Sequence, residues 1–316
     1  MMSNNSFTPG YFQLTLFTDS GPLRYLFFCL CLLIYMTIIS ANLVIILAVC
    51  LETSLHQPMY MFLSCLCLNS LYGSAGFFPR FLMDILSDTH LISRASCFIQ
   101  IYVIYTYASY EPTILSIMAY DRFIAICQPL HYHSKMTFRM VRHILIFALL
   151  YPAFAIGFIL YLTVRLPLCG NKLHRLFCSN WPVVRLSCVD PTLNNIVAVL
   201  VLITFFAPLF FVLYTYLRIL LVCRRSSSEF RGKALQTCLP HIVTFVTYLF
   251  SVFCDLSLTR LETDKMNPNI AVVFSLEYLI IPPINNPLVY GLNLSQIKRV
   301  IFRFLKIHKL GPADKI

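Results

Sequence analysis

The ten residues MAYDRFIAIC (118–127) place an acid and a base, Asp121 and Arg122, side by side within an apolar run. Charged side chains are expensive in hydrocarbon, so charges inside an apolar span indicate a function. The whole chain of 316 residues is 59% hydrophobic and only 12% charged, and its mean hydropathy is +0.76. An ordinary water-soluble domain does not need this much apolar surface to form its core, so the composition predicts a membrane protein.

Seven apolar runs are long enough to cross a bilayer as helices, for which about 20 residues are needed. The predicted spans cover residues 23–51, 58–86, 93–128, 140–162, 193–223, 233–258 and 268–292. A basic amphipathic stretch at 295–307 follows the last span and is typical of a helix on a membrane surface. The predicted fold class is therefore an all-α membrane protein, a seven-transmembrane-helix bundle with a short amphipathic surface helix after the seventh span.

The distribution of positive charge predicts the orientation of the bundle. With the N-terminus outside, most of the 24 lysines and arginines fall in segments on the cytosolic side, as the positive-inside rule requires. We therefore expect an extracellular tail at 1–22, an extracellular loop at 163–192, and a cytosolic helix and tail at 293–316. Asn4, in the triplet NNS, is then a candidate glycosylation acceptor. Membrane orientation also explains the net charge of +11, so nucleic acid is not an expected partner.

Four of the 13 cysteines lie where the oxidising side of the membrane is expected, at the start of the third span and in the following long loop. They are Cys97, Cys169, Cys178 and Cys188. Four cysteines can pair in three ways, and the residues by themselves leave all three open. One bridge from Cys97 would hold the loop over the mouth of the bundle, and the other would close the loop on itself.

The third predicted span carries Glu111 and, further along, Asp121 and Arg122. Glu111 and Arg122 are eleven residues apart, about three helical turns or 16 Å, so they lie on one face of the helix. Cys97 lies 25 residues before Arg122, about 37 Å along a helix. The pair therefore belongs at the cytosolic mouth of the bundle, where a cytosolic partner can reach it.

Glu111 is expected to be a protonated or hydrogen-bonded carboxyl in the core, facing Ser70 and Asn286, because one acid alone is a poor cation site. We predict no metal and no cofactor. The next residue, Pro112, lacks a backbone N–H and should free the carbonyl of Ala108 and bend the third span.

The stretch MAYDRFIAICQPLHY (118–132) resembles the signature of olfactory receptors, a branch of the rhodopsin-like G-protein-coupled receptors. The long loop with three cysteines is also similar to that family. The resemblance covers nearly the whole chain, from Asn42 to the helix after Tyr290. Further motifs of the family are matched, in the family's order, by LHQPMYMFL (55–63), KALQTCLPH (233–241) and NPLVY (286–290).

The resemblance implies two disulfides, Cys97–Cys178 and Cys169–Cys188. It also implies a switch in which Asp121 holds Arg122 at rest, and activation releases the arginine toward an inserted G-protein helix. The residues that the resemblance assigns to this switch are Asp121, Arg122, Tyr216, His241, Asn286, Pro287 and Tyr290. His241 could hydrogen-bond near the Asp121–Arg122 pair or could be a satisfied interfacial histidine, and both readings are open.

The resemblance further places a ligand pocket in the outer half of the bundle, under the long loop. Most of its positions are apolar, which suits a small and mainly apolar molecule. These positions are Ile104, Tyr105, Ala108, Ser109, Leu200, Thr204, Val252, Leu256, Leu276 and Leu279.

By resemblance, the chain is expected to be an odorant receptor and not an enzyme. It would bind a small-molecule odorant and activate a stimulatory, olfactory-type heterotrimeric G protein, which raises cyclic AMP. The expected location is the plasma membrane of olfactory sensory neuron cilia, where membrane lipids surround the spans. The sequence departs from the family pattern at Ser70, where an aspartate is usual, and at Leu249, where an aromatic residue is expected one position after Tyr248.

Two other functions fit parts of the sequence. A rhodopsin-like receptor for a peptide or an amine is weakened by the lack of an acid at Ile104. A transporter could use Glu111 and Glu277 for ion movement, but the seven runs show no inverted repeat of the kind that many transporters have. An intramembrane enzyme is weaker still, because His131 and His133 have no nucleophile or acid arrangement near them.

Overall fold

A computed structural model describes residues 9–17, 21–260 and 268–309. Three short helices accompany the long ones: α4 (Tyr132–Lys135), α6 (Asn180–Val184) and, after the last long helix, α10 (Ser295–Lys309). The seven long helices are α1 (Leu23–Leu51), α2 (Pro58–Leu86), α3 (Arg94–Cys127), α5 (Phe138–Val164), α7 (Thr192–Arg224), α8 (Ser228–Arg260) and α9 (Pro268–Asn293).

Six of the described helices are long and apolar enough to cross a membrane: α1, α2, α5, α7, α8 and α9. Many of their large apolar side chains point outward, as lipid contact requires. The remaining long helix, α3, is less apolar, but it packs against α2, α5, α7 and α8 and so keeps its polar groups inside the bundle. The architecture confirms the predicted fold class, an α-helical bundle of seven long helices followed by a short helix.

The helix ends follow local signals in the sequence. Ser93 caps α3 because its hydroxyl accepts a hydrogen bond from the amide of Ser96. Thr137 caps α5 in the same way, and Pro58 occupies the first turn of α2, where its missing N–H costs nothing. The largest difference from the predicted bounds is at α8, which begins at Ser228 rather than near residue 233. Polar residues there continue the helix although they add nothing to its hydropathy.

A small sheet covers one end of the bundle, and the sequence did not predict it. Its strands are β1 (Tyr11–Leu14), β2 (Leu91–Ser93) and β3 (Lys172–Leu173), in the order β2-β1-β3. β1 pairs antiparallel with β2 and parallel with β3. The strands are too short to show an alternating pattern, and they come from distant parts of the chain. Only the packing of the helices brings them together.

Two disulfides lie at this same end. They join Cys97 to Cys178 and Cys169 to Cys188, which is the pairing that the resemblance implied. Cys97 lies in the first turn of α3, so the first bond ties the loop between α5 and α7 to the top of the bundle. We refer to this end as the disulfide end and to the other end of α3, which carries Asp121 and Arg122, as the ion-pair end.

At the ion-pair end, α10 packs against the bundle through one face. Ile297 and Val300 are buried in the core cluster, while Lys298 and Arg299 are exposed. The hydroxyl of Tyr60 also donates to the side chain of Gln296 at 2.7 Å. This arrangement has the amphipathic character that the sequence predicted for the stretch after the last span.

Two glycines allow α2 and α3 to approach closely. A Cβ atom added at Gly73 would lie 2.5 Å from ring atoms of Tyr107, which is a fully buried side chain. A Cβ atom at Gly76 would collide with Val103. The contact between these two helices therefore requires residues without a side chain at both positions.

We predict that Gly73→Ala destabilises the protein by about 1–3 kcal/mol, because the ring of Tyr107 has no free space into which to move. The matched control is Gly232→Ala on α8, where an added Cβ meets nothing within 4 Å. Thermal unfolding of the purified proteins in detergent measures both effects. Equal midpoints for the two variants would contradict the close contact between α2 and α3.

Candidate functional site

A cavity of about 210 Å³ lies between α3, α5, α7, α8 and α9, near the disulfide end. Its walls are mainly apolar, as is usual for small-molecule sites. α3 supplies Ile104, Tyr105, Ala108 and Ser109, and α8 supplies Val252. These five residues are among those that the resemblance assigned to a ligand pocket.

The loop between α5 and α7 closes one side of the cavity. The amide of Asn180 donates to the hydroxyl of Tyr105 at 3.3 Å, and the amide of Cys178 donates to the side-chain oxygen of Gln100 at 3.0 Å. Together with the Cys97–Cys178 bond, these contacts fix the loop against α3. Four loop residues line the cavity: Phe177, Ser179, Asn180 and Trp181. None of the four was predicted from the sequence, because the segment between α5 and α7 is too short of regular structure to give a periodic signal.

The structure corrects the predicted contribution of α7. Leu200 is 58% exposed on the outer face of that helix. Thr204 is also exposed, and it accepts a hydrogen bond from Tyr151 at 2.5 Å. Each residue turns a helix by about 100°, so a placement that is wrong by one or two positions moves a side chain from the inside to the outside. The cavity is instead lined by Asn195, Ala198, Val199, Val201, Leu202 and Phe205.

The contribution of α9 is corrected as well. Leu276 and Leu279 belong to the hydrophobic cluster that α9 shares with α1 and α2, and Tyr278 lines the cavity in their place. The side chain of Leu256 and the candidate glycosylation site at Asn4 lie outside the described residues.

Below the cavity, Glu111 is at the centre of a buried polar cluster. Its carboxyl group accepts a hydrogen bond from Asn69 at 3.1 Å and another from Asn286 at 2.8 Å. The amide of Asn286 also lies 3.4 Å from the hydroxyl of Ser70. These residues connect α2, α3 and α9, and all four are buried. The sequence pointed to Glu111, Ser70 and Asn286, whereas it gave Asn69 no role.

Several prolines lie inside the long helices, and for two of them, Pro112 and Pro287, a neighbouring helix supplies a donor to the backbone carbonyl that the proline leaves unbonded. Pro112 lacks the N–H that would bond to the carbonyl of Ala108, and the hydroxyl of Tyr248 on α8 donates to that carbonyl at 3.1 Å. Tyr248 also lines the cavity. It therefore connects the cavity wall to the irregular point in α3.

The second proline, Pro287 in α9, leaves the carbonyl of Pro283 without a helical donor. The side-chain amide of Asn42 on α1 donates to this carbonyl at 2.9 Å. Asn42 is fully buried. The bond therefore ties α1 to α9 inside the bundle, where water cannot take the place of the missing partner.

At the ion-pair end, Arg122 donates through Nε to the carboxylate of Asp121 at 2.9 Å. Asp121 is fully buried and accepts a second hydrogen bond, at 2.8 Å, from the hydroxyl of Tyr132 in α4. Burial and the nearby carboxylate raise the pKa of Tyr132, so this hydroxyl keeps its proton and stays a donor. Tyr132 was not among the predicted switch residues, although it ends the motif at 118–132.

Three further predicted switch residues, Tyr216, His241 and Tyr290, lie at this end, whereas Asn286 belongs to the Glu111 cluster. The hydroxyl of Tyr290 and Nδ1 of His241 are 3.0 Å apart, so His241 contacts α9 rather than Asp121. Tyr216 on α7 is buried, and its hydroxyl has no hydrogen-bond partner among the described residues. Side chains from α3, α7, α8 and α9 thus meet at the ion-pair end.

The fold is also found in a solved structure. Squid rhodopsin, in its crystal structure, matches this chain with a TM-score of 0.71 at 17% sequence identity, and the match covers 92% of this chain and 88% of the rhodopsin. The chain therefore has the seven-helix fold of rhodopsin.

Sequence comparison identifies the family of the chain. The family model described as olfactory receptor matches residues 28–308. Human olfactory receptor 6N1 is 35% identical over 88% of this chain and 89% of its own length. Human olfactory receptor 14J1 is 33% identical over 96% of this chain and 95% of its own length. The chain belongs to the olfactory receptor family of G-protein-coupled receptors. It is a multi-pass membrane protein, and its family binds small molecules, couples to G proteins and is not a family of enzymes.

We predict that Tyr248→Phe destabilises the protein by about 1–3 kcal/mol, because the buried carbonyl of Ala108 loses its donor. Pro112→Ala restores a backbone N–H at that position. In the Pro112→Ala background, Tyr248→Phe should therefore have a much smaller effect. Thermal unfolding of the four proteins in a double-mutant cycle measures the coupling.

The control for this cycle is Tyr278→Phe. Tyr278 also lines the cavity, but its hydroxyl has no hydrogen-bond partner among the described residues. This variant should unfold close to the temperature of the unmodified protein. Additive effects of Tyr248→Phe and Pro112→Ala would show that the hydroxyl does not compensate for the proline.

Proposed function

We propose that this receptor binds a small odorant in the cavity near the disulfide end and activates a stimulatory, olfactory-type heterotrimeric G protein, which raises cyclic AMP. The proposed location is the plasma membrane of olfactory sensory neuron cilia. The observation that carries the proposal is the position of α3. Ile104, Tyr105, Ala108 and Ser109 of this helix line the cavity, and its other end carries the Asp121–Arg122 pair.

The proposed orientation places the disulfide end outside the cell and the ion-pair end in the cytosol. Disulfides persist in oxidising compartments, and both described bonds lie at the first of these ends. The ion-pair end carries basic residues of α4, α5, α7 and α10, as is usual for cytosolic segments. In this orientation, residues 1–22 and 163–192 are extracellular and residues 293–316 are cytosolic.

The proposed mechanism links the cavity to the ion pair through contacts inside the bundle. Tyr248 touches the cavity and also bonds to the carbonyl of Ala108, so a ligand that moves Tyr248 changes the hydrogen bonding of α3. One helical turn further along α3, Glu111 bonds to α2 and α9. A ligand that binds one arrangement of these helices more tightly than another shifts the population toward it.

The output of this mechanism is the release of Arg122. In the described arrangement, Arg122 and Tyr132 together occupy the carboxylate of Asp121. A relative movement of α3 and α8 would hydrate the pair and weaken it, because the attraction between two charges falls as the local dielectric rises. Arg122 could then turn toward a G-protein helix, with Tyr216 and Tyr290 as its new neighbours.

We expect Arg122→Ala to abolish the agonist-driven rise in cyclic AMP, because the variant lacks the group that contacts the G protein. Surface expression should change little. The matched control is Arg165→Ala, which removes an exposed arginine from the disulfide end. A cyclic AMP assay in cells that express the olfactory-type G protein, with surface labelling of the receptor, measures both. Full signalling by the Arg122 variant would refute its role.

A second prediction tests the cavity as the ligand site. Leu202→Trp fills part of the cavity and should raise the agonist concentration for half-maximal response by about tenfold or more. Leu200→Trp makes the same change two residues away, on the outer face of α7, and should leave potency nearly unchanged. Dose–response curves for cyclic AMP measure both variants. Equal effects at the two positions would place the ligand elsewhere.

A further inference from the structure

We propose that the cavity recognises a small organic cation, a protonated amine with an apolar body, through the carboxylate of Asp255 and a surrounding group of aromatic side chains. This inference rests on the proposed function of the cavity and specifies its ligand class. No motif in the sequence gives Asp255 a role. The residue type at Ile104 on α3 spoke against an amine as the ligand, because it supplies no acid. The structure brings an acid into the same cavity from α8.

The charge of the cavity wall supports a cation. Asp255 is the only charged side chain among the described residues that line the cavity. The rest of the described wall is apolar, aromatic or neutral and polar, so Asp255 is the one group in it that offers a negative charge to a ligand. A carboxylate in an enclosed and mainly apolar site attracts a cation much more strongly than a carboxylate in water does.

The aromatic side chains supply a second element of amine recognition. A cation is attracted to the face of an aromatic ring within about 6 Å of its centre, and organic ammonium groups are recognised in this way by cages of rings. The same rings also enclose an apolar ligand body. The aromatic residues that line the cavity are Tyr105, Phe177, Trp181, Phe205, Tyr248 and Tyr278.

A positive charge, that of Arg175, acts on the same carboxylate and offsets part of its negative charge. Arg175 lies in the loop between α5 and α7, is only 3% exposed and interacts electrostatically with both Asp255 and Tyr105. It is not among the described residues that line the cavity. Its charge favours the ionised form of Asp255, and Asp255, unlike Arg175, lines the cavity. A carboxylate has about four acceptor positions, so it can accept from Arg175 and from a ligand ammonium together.

The test compares ligands that differ only in their charge. 2-Phenylethylamine and 2-phenylethanol have the same shape, as do cyclohexylamine and cyclohexanol. In cells that express the receptor with the olfactory-type G protein, each amine should raise cyclic AMP at a concentration about tenfold or more below that of its alcohol. Asp255→Asn should remove this advantage, with a loss of about tenfold or more for the amine and little change for the alcohol.

The control variant is Glu277→Gln. Glu277 accepts a hydrogen bond from Ser251 at 2.9 Å and is not among the described residues that line the cavity. This variant should keep the preference for amines. Asp255→Ser provides a second substitution in case Asp255→Asn does not reach the cell surface, and the comparison of amine with alcohol on the unmodified receptor needs no variant at all.

The outcomes separate this inference from the proposed function. Responses to alcohols or other neutral odorants without a preference for amines would overturn the amine inference and leave the receptor function intact. Stabilisation of the purified receptor by amines in a thermal unfolding assay, lost in Asp255→Asn but without any rise in cyclic AMP, would support the inference and refute the proposed G-protein output. If Asp255→Asn lowered the potency of amine and alcohol equally, Asp255 would have a structural role and would not bind the amine, which would overturn the inference.

Discussion

The structure depends on one constraint: inside a bilayer, where water is not at hand, a buried polar group without a partner within the protein is costly. Glu111 shows how the chain meets it. This carboxyl group lies in the middle of α3 and accepts hydrogen bonds from Asn69 on α2 and Asn286 on α9. The helix that carries Glu111, Asp121 and Arg122 is therefore packed against four other long helices, α2, α5, α7 and α8. Because α3 is central, it lines the cavity near one end and carries the ion pair near the other.

The same constraint explains the hydrogen bonds that accompany Pro112 and Pro287. A proline in a helix exposes a carbonyl four residues earlier, and in hydrocarbon that carbonyl needs another donor. Tyr248 serves the carbonyl of Ala108, and Asn42 serves that of Pro283. Each of these two irregular points is thus a contact between two helices. Because such a contact depends on one hydrogen bond, a small movement can break it, and the bond at Ala108 borders the proposed ligand site.

Much of this architecture could be predicted from the chain. Seven apolar runs determined the long helices, and the motif at 118–132 pointed to the family. The sequence also indicated that Pro112 would free a carbonyl, but not that Tyr248 would bond to it. Leu200 and Thr204 lie outside the cavity because in an apolar helix the inner and outer faces have similar composition, so the residues by themselves do not show which face points inward. Leu276 and Leu279 pack inside the bundle, but against α1 and α2 rather than around the cavity. Asp255 was missed because no motif surrounds it.

By itself, the sequence determined the number, length and order of the membrane helices, since these depend on local hydropathy and on the approximately 1.5 Å rise per residue of a helix. It also determined that Asp121 and Arg122 lie far from Cys97 along α3. Only the tertiary structure decided which side chains share a space. The cavity brings Tyr105, Asp255 and Trp181 together from two helices and a loop, and the sheet joins strands from three distant segments. Such groupings depend on the rotation and packing of whole helices, which no single segment encodes.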